Sequence, residues 1–307
     1  MIMKFYIFGE IWPPIIKENE IMERKVYIAV MTGAPLKYEI EYSYIHWGME
    51  FFHTPNFGGL GFFGDSAIES SIKDIPYISV DISKDKSLYG LCSKLYRAIE
   101  EFLFRSDSLW MIRICEDTAV NIKTLPLFLE ELNSQFDPMK DVVIQGACLG
   151  KQSTVYLQGG SGFVFSRKAA FDLYKDWSWF NEKCSQVKSD DRVVGIYLQR
   201  VGISPYHSTN RWFLGHSFLG VNSIEEALLN RSQISHCIKP ISNKGCRSFF
   251  TKLKDITFWH DRVPFDKFVA RIELIRELSG DDLAFYVPNN KPVLCLLSND
   301  THLGYYD

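Results

Sequence analysis

Apolar and polar positions follow two rhythms along this chain. Short runs rich in β-branched and aromatic residues read as buried strands: 25–31 (KVYIAVM), 77–82 (YISVDI), 110–114 (WMIRI) and 141–145 (DVVIQ). The first of these ends at Thr32-Gly33-Ala34-Pro35, a turn signal. Between them the period lengthens. Leu88, Leu91, Leu95, Ile99 and Phe102 recur at three- or four-residue steps, predicting a helix over 88–104 with one apolar stripe on a core. A second helix is expected over 124–133, with Pro126 in its first turn. Further helices are expected over 36–50 and near 265–278. Strands alternating with helices predict an α/β domain built on a mostly parallel sheet, and such sheets hold ligands at the carboxyl ends of their strands. The pattern weakens past residue 245. The expected organisation is therefore an N-terminal segment over 1–24, one domain over 25–245, and a C-terminal extension of unclear role over 246–307.

Composition narrows the class. Of 307 residues, 46% are hydrophobic, 23% charged and 15% aromatic, which excludes disorder, collagen-like repeats and a coiled coil. Lys+Arg number 34 against 37 Asp+Glu, a net charge of −3, so no nucleic-acid partner is expected. No apolar run reaches the roughly eighteen residues of a membrane span, and no transmembrane segment is expected in this chain. Met1 to Phe8 is apolar but short, without the basic flank or cleavage site of a signal peptide. Seven cysteines show no C-x-x-C pair; zinc is not expected, and the odd count argues against a full disulfide framework. N-x-S/T sequons at Asn230 and Asn299 are compatible with a secretory location.

Five segments carry candidate chemistry. Gly59-Leu-Gly-Phe-Phe-Gly64, with Asp81 beyond it, has the form of a dinucleotide fingerprint, but it does not close a strand and two phenylalanines would crowd the helix start. A glycine-rich turn entering a strand is the better reading. Arg113-Ile-Cys-Glu-Asp-Thr118 follows the strand at 110–114. Acids at that end of a strand can hold Mn²⁺ or Mg²⁺ against a diphosphate, or simply cap the next helix. Tyr156-Leu-Gln-Gly-Gly-Ser-Gly162 offers backbone that can turn sharply or approach a ligand. Ser189-Asp190-Asp191 opens a helix, where such residues cap free amides; an aspartate there can also act as a general base. His236, in Ile234-Ser-His-Cys237, is either a packed residue or a ligand, and His216 has the same two readings.

The order of these blocks resembles a known family. Trp110-Met-Ile-Arg-Ile-Cys-Glu-Asp-Thr-Ala-Val120 resembles the W-F-x-K-A-D-D-D-T-Y-V strand and metal motif of the fringe and core 1 beta-1,3-galactosyltransferases. Gln158-Gly-Gly-Ser-Gly-Phe-Val-Phe-Ser166 is similar to their S-G-G-A-G-Y-V-L-S segment, and Ser189-Asp-Asp-Arg-Val-Val-Gly195 to their acidic helix start. The likeness covers about residues 25 to 240. It implies a GT-A fold, an α/β sandwich around a mostly parallel mixed sheet that binds a nucleotide sugar. The implied activity is an inverting, metal-dependent transfer of a hexose from a UDP-sugar to a glycan or glycoprotein acceptor, in β-1,3 linkage. Carried over by position, Asp117 and His236 are the expected ligands of Mn²⁺ or another divalent cation, and Asp191 the expected base. Arg113, Cys115, Glu116, Gly159 and Gly160 are the expected donor-site residues. The resemblance also implies a secretory-pathway or Golgi location, and leaves homodimerisation open.

The chain departs from the pattern at three places. Cys115 stands where the first aspartate of the metal motif is expected, Glu116 at the middle one, and Ala119 where an aromatic is expected. The family's usual membrane anchor and recognisable disulfides are absent from the pattern. These departures give the alternative expectation of a catalytically silent relative that binds sugar or protein.

Overall fold

A computed structural model describes residues 6–7, 10–11, 25–33, 36–68, 70, 72–151, 154–207, 212–214, 234–238, 247–251, 257–260, 269 and 293–294. Almost all of the helix expected near 265–278, and His216, lie outside them.

The elements follow the two rhythms closely. After a short antiparallel hairpin of β1 (Tyr6–Ile7) and β2 (Glu10–Ile11) come β3 (Val26–Met31) and α1 (Lys37–Ser43), which runs through a π-helical turn into α2 (Met49–Phe52). Then follow β4 (Phe57–Gly64), β5 (Tyr77–Ser79), α3 (Leu91–Arg105), β6 (Trp110–Cys115), β7 (Thr118–Val120) and α4 (Leu125–Gln135). β8 (Ile144–Gly146), β9 (Cys148–Lys151), β10 (Thr154–Leu157) and β11 (Phe163–Ser166) lead into α5 (Arg167–Lys175), α6 (Trp177–Val187) and α7 (Asp190–Arg200). The remaining strands are β12 (Tyr206–His207), β13 (Phe213–Leu214), β14 (Ile234–Ile238), β15 (Arg247–Thr251), β16 (Phe258–His260) and β17 (Val293–Leu294).

Eight strands form one mixed sheet in the order β17-β12-β8-β11-β6-β3-β4-β5. β5, β4, β3 and β6 are parallel neighbours, and β12 lies parallel to β8; β11 and β17 run against their neighbours. The period of two explains how the sheet is covered. Val26, Ile28 and Val30 enter a core shared with α1, α2 and α4, while Tyr27, Ala29 and Met31 enter a second core shared with α3, α5, α6 and α7. The expected α/β sandwich around a mostly parallel mixed sheet is the observed architecture.

Local chemistry sets several boundaries. Asp81 accepts from the Ser83 amide at 2.9 Å, a turn that ends β5 before residue 82. Asp141 accepts from the Asp137 amide at 2.7 Å, so the strand expected over 141–145 begins only at Ile144. Gly59 to Gly64 is part of the strand β4 itself rather than a turn leading into it. A Cβ at Gly61 would lie 2.8 Å from the Tyr27 hydroxyl, so this glycine admits an aromatic side chain, not a pyrophosphate.

Cysteine spacing proved a poor guide. Cys92 on α3 is disulfide-bonded to Cys184 on α6, 92 residues away, and Cys148 is also disulfide-bonded. Among the described residues Cys115 is a free thiol. At the far end of α3, buried Arg167 donates at 2.7 Å to the carbonyl of Leu103, which the helix end leaves open, and at 2.8 Å to that of Ser108 in the loop beyond. No helix among the described residues is long and apolar enough to cross a membrane. Residues beyond 245 enter the fold: β16 pairs with β7 and buries Phe258 and Trp259, and β17 extends the main sheet.

Candidate active site

Strand alternation turns Trp110, Ile112 and Ile114 of β6 toward the α1–α4 core, and Met111, Arg113 and Cys115 toward the face that α7 covers. An arginine in that position is 1% exposed and needs a counter-charge. Asp190, the first residue of α7, supplies it: its Oδ2 accepts from Arg113 Nε at 3.0 Å and pairs with Nη2 at 2.9 Å. Burial pushes the Asp190 carboxyl up to about 6 against the pull of Arg113. Burial also opposes the charge on Arg113, but the Asp190 carboxylate, and then Asp191, hold the guanidinium ionised.

The same guanidinium gathers two further segments. Nη1 donates to the Gly159 carbonyl and lies 3.2 Å from Cys115 Sγ. The Gly159 amide, from the other side of that residue, donates to Asp191 Oδ2 at 3.0 Å. Asp191 Oδ1 accepts from the Ser189 hydroxyl and, at 2.6 Å, from the Arg192 amide. Cys115, Arg113, Gly159, Asp190 and Asp191 thus form one hydrogen-bonded network across the end of the sheet. Burial pushes the Cys115 thiol up, so it stays protonated near neutral pH.

Beyond Cys115 the chain turns. The Glu116 amide donates to Met31 O at 3.2 Å, docking the acidic turn on the carboxyl end of β3. Cys115, Glu116 and Asp117 each offer a donor atom within 4.8 Å of the others. Burial, then the Asp117 charge, push the Glu116 carboxyl up to about 8, the response of an acid placed where a second negative charge is unwelcome. β16 brings His260 opposite Thr118, and His260 Nε2 lies 3.1 Å from Asp117 Oδ1. Thr118 Oγ1 donates to Gly160 O at 2.8 Å. A side chain at Gly160 would overlap the His260 ring, so glycine there makes room for the histidine. The donor group the structure brings together is Cys115, Glu116 and Asp117, with His260 against Asp117; carboxylates and an imidazole are donor types that a divalent cation of the Mn²⁺ type accepts.

The arrangement meets a match in sequence at this point: the model of the Fringe-like family covers residues 63–219, which include β6, the glycine turn and α7. The chain belongs to the Fringe-like family. Among similar proteins, a human beta-1,3-glucosyltransferase is 31% identical over 138 residues, covering 42% of this chain and 26% of that protein. A mouse beta-1,3-glucosyltransferase is 30% identical over 133 residues, with the same coverage of 42% and 26%. This Fringe-like chain therefore matches about a quarter of the length of those relatives. Among solved structures, the galactosyltransferase LgtC in complex with donor and acceptor sugar analogues aligns at 12% identity with a TM-score of 0.41, covering 83% of this chain and 95% of that one. The bifunctional glycosyltransferase WbbM, in its apo form, aligns at 10% identity with a TM-score of 0.46, covering 85% and 52%.

Of the residues expected at the site, Arg113, Cys115, Gly159 and Asp191 are linked directly, and Glu116, Asp117 and Gly160 lie on the turns that adjoin them. His236 lies on β14, paired with β15, and its side chain falls outside the described residues. The histidine found against Asp117 is His260, which sequence reasoning passed over. Its only signal was a place in the short apolar run Phe258-Trp259-His260, beyond the stretch the family resemblance covered. Ala119 has a physical explanation: it stands opposite Trp259 in the β7–β16 ladder, and both are buried, so the small residue receives the large one. Asp190, read from the sequence as a helix-opening acid beside the expected base, is the partner of Arg113.

Proposed function

We propose that this chain is an inverting, metal-dependent glycosyltransferase that moves a hexose from a UDP-sugar to a hydroxyl of a glycan or glycoprotein, forming a β-1,3 linkage. Its similarity to beta-1,3-glucosyltransferases makes UDP-glucose the first donor to test. The observation that carries the reading is the Gly159 peptide, which joins Arg113 of the metal-motif strand to Asp191 of α7. That link brings a candidate base and a candidate cation site from separate parts of the chain to one end of the sheet.

In this reading Asp117 and Glu116, with His260 beside Asp117, would hold a divalent cation, and such an ion would supply positive charge against the departing diphosphate. Asp191 is the base. A carboxylate has about four lone-pair sites, and the Gly159 amide, the Ser189 hydroxyl and the Arg192 amide occupy three, orienting the group and leaving one for an acceptor hydroxyl. The hydroxyl proton passes to Asp191 as the acceptor oxygen bonds to the anomeric carbon and the bond to the diphosphate oxygen breaks on the opposite face. Asp190 has no part in this transfer, because Arg113 engages it in the interior. Cys115 sits beside the cation site as a neutral thiol, where the family pattern has a carboxylate.

The test is Asp191→Asn, assayed by UDP release from UDP-sugars in the presence of acceptors. Loss of a placed general base lowers the rate on the order of a hundred- to ten-thousand-fold, while UDP affinity should stay near wild type. Full transfer activity in that variant would remove Asp191 from the role.

A further inference from the structure

The turn that opens α3 turns two large apolar residues toward solvent. Leu88 is 51% exposed and Tyr89 70% exposed, both in the short 3₁₀ turn Leu88–Gly90. Tyr89 has φ 53° and ψ 22°, the left-handed region, which a bulky L-residue occupies only at a cost. A turn that served only to start a helix would take glycine or asparagine there. Strain of this kind, kept at an exposed residue, points to a function for the side chain.

The turn is braced, not loose. Asp85 accepts from the amides of Ser87 and Ser93, both at 2.7 Å, and Ser87 Oγ accepts from the Cys92 amide at 3.1 Å. It is also fixed to the segment that carries Asp191. The Leu88 amide donates to Lys188 O at 2.9 Å, and the Cys92–Cys184 disulfide joins the first turn of α3 to the end of α6. Lys188, itself left-handed at φ 63°, stands three residues before Asp191. One turn further into α3, buried Lys94 reaches Thr32 O, just past β3, at 2.6 Å. Leu88 and Tyr89 therefore stand on the rim between the carboxyl ends of the sheet strands and the start of α7.

We propose that Leu88 and Tyr89 form the platform on which a sugar ring of the acceptor rests while its hydroxyl faces Asp191. A pyranose has an apolar C–H face and a polar edge, and a tyrosine held rigidly at a wet rim offers the matching apolar face and polar tip. The inference rests on the glycosyltransferase reading and adds to it a positioning pair that does not touch the reacting atoms.

The experiment uses the full chain with UDP and Mn²⁺ present, titrated with methyl α- and β-glycosides of the common hexoses, deoxyhexoses and N-acetylhexosamines, and followed by saturation-transfer NMR. The wild type should bind at least one of them, and Tyr89→Phe should bind it equally. Tyr89→Gly should bind it about three- to tenfold more weakly, the loss of one aromatic contact. Because glycine accepts the left-handed backbone without strain, Tyr89→Gly should also raise the melting temperature. A wild type that binds none of the glycosides, an unchanged affinity in Tyr89→Gly, or a lower melting temperature in that variant would each overturn the platform. UDP binding, measured separately, tells the two failures apart: its absence in the wild type defeats the glycosyltransferase reading, while intact UDP binding with glycoside affinity unmoved defeats the platform alone.

Discussion

Replacing Asp190 with alanine tests whether the two neighbouring aspartates divide their work as the structure implies. Arg113 and Asp190 have side chains 1% and 2% exposed, and Asp190 alone engages Nε and Nη2. In Asp190→Ala, Nη1 keeps the Gly159 carbonyl, while Nε and Nη2 become buried donors on an uncompensated charge. At about 1–3 kcal/mol for each orphaned donor the cost is about 2–6 kcal/mol. Removing one member of a buried ion pair typically costs about 3–5 kcal/mol, which agrees. For a chain of this size the melting temperature should fall by roughly ten degrees, at about 2–4 °C per kcal/mol. Thermal unfolding followed by circular dichroism reads it directly. Removing both charges in Arg113→Met/Asp190→Leu should recover part of the loss, because no unpaired charge remains. Asp191→Asn, by contrast, should melt within a few degrees of wild type. A loss below about 1 kcal/mol in Asp190→Ala would mean that the pair is solvated, and the division of labour between the two aspartates would fall.

Two further outcomes follow from other parts of the structure. Gly160→Ala drives a methyl group into the His260 ring, so Mn²⁺ affinity measured by calorimetry should drop while the fold, read by circular dichroism, persists; unchanged affinity would separate His260 from the cation site. Cys92→Ala/Cys184→Ala removes a cross-link spanning 92 residues and should cost about 2–5 kcal/mol in denaturant unfolding; a neutral double variant would mean that the two helices are held by packing alone.

The sheet was legible because its strands are buried on both faces and read as short apolar runs. β3 and β6 lie within a residue of their expected limits. Ends were less legible, since they depend on single side chains such as Asp81 and Asp141, whose turn bonds no periodicity announces. At the site, Asp117, Asp191 and Gly159 were visible as motif residues, but their connection was not. It runs through a guanidinium inside a strand that reads as apolar, and through a glycine peptide that presents opposite faces to two partners. His260 and the Cys92–Cys184 bond escaped for a common reason: both join segments far apart in the chain, and spacing carries no information about such contacts. The G-x-G-x-x-G of β4 shows the reverse, a motif whose spacing was right and whose structural setting assigns it to sheet packing.

The most direct test of the proposed function is a calorimetric titration of UDP into the wild type and Asp117→Ala, with and without Mn²⁺. The proposal predicts that the wild type binds UDP when Mn²⁺ is present and weakly when it is absent, and that Asp117→Ala loses the Mn²⁺-dependent part. Equal UDP binding by both proteins under both conditions, or none by the wild type with Mn²⁺, would contradict it.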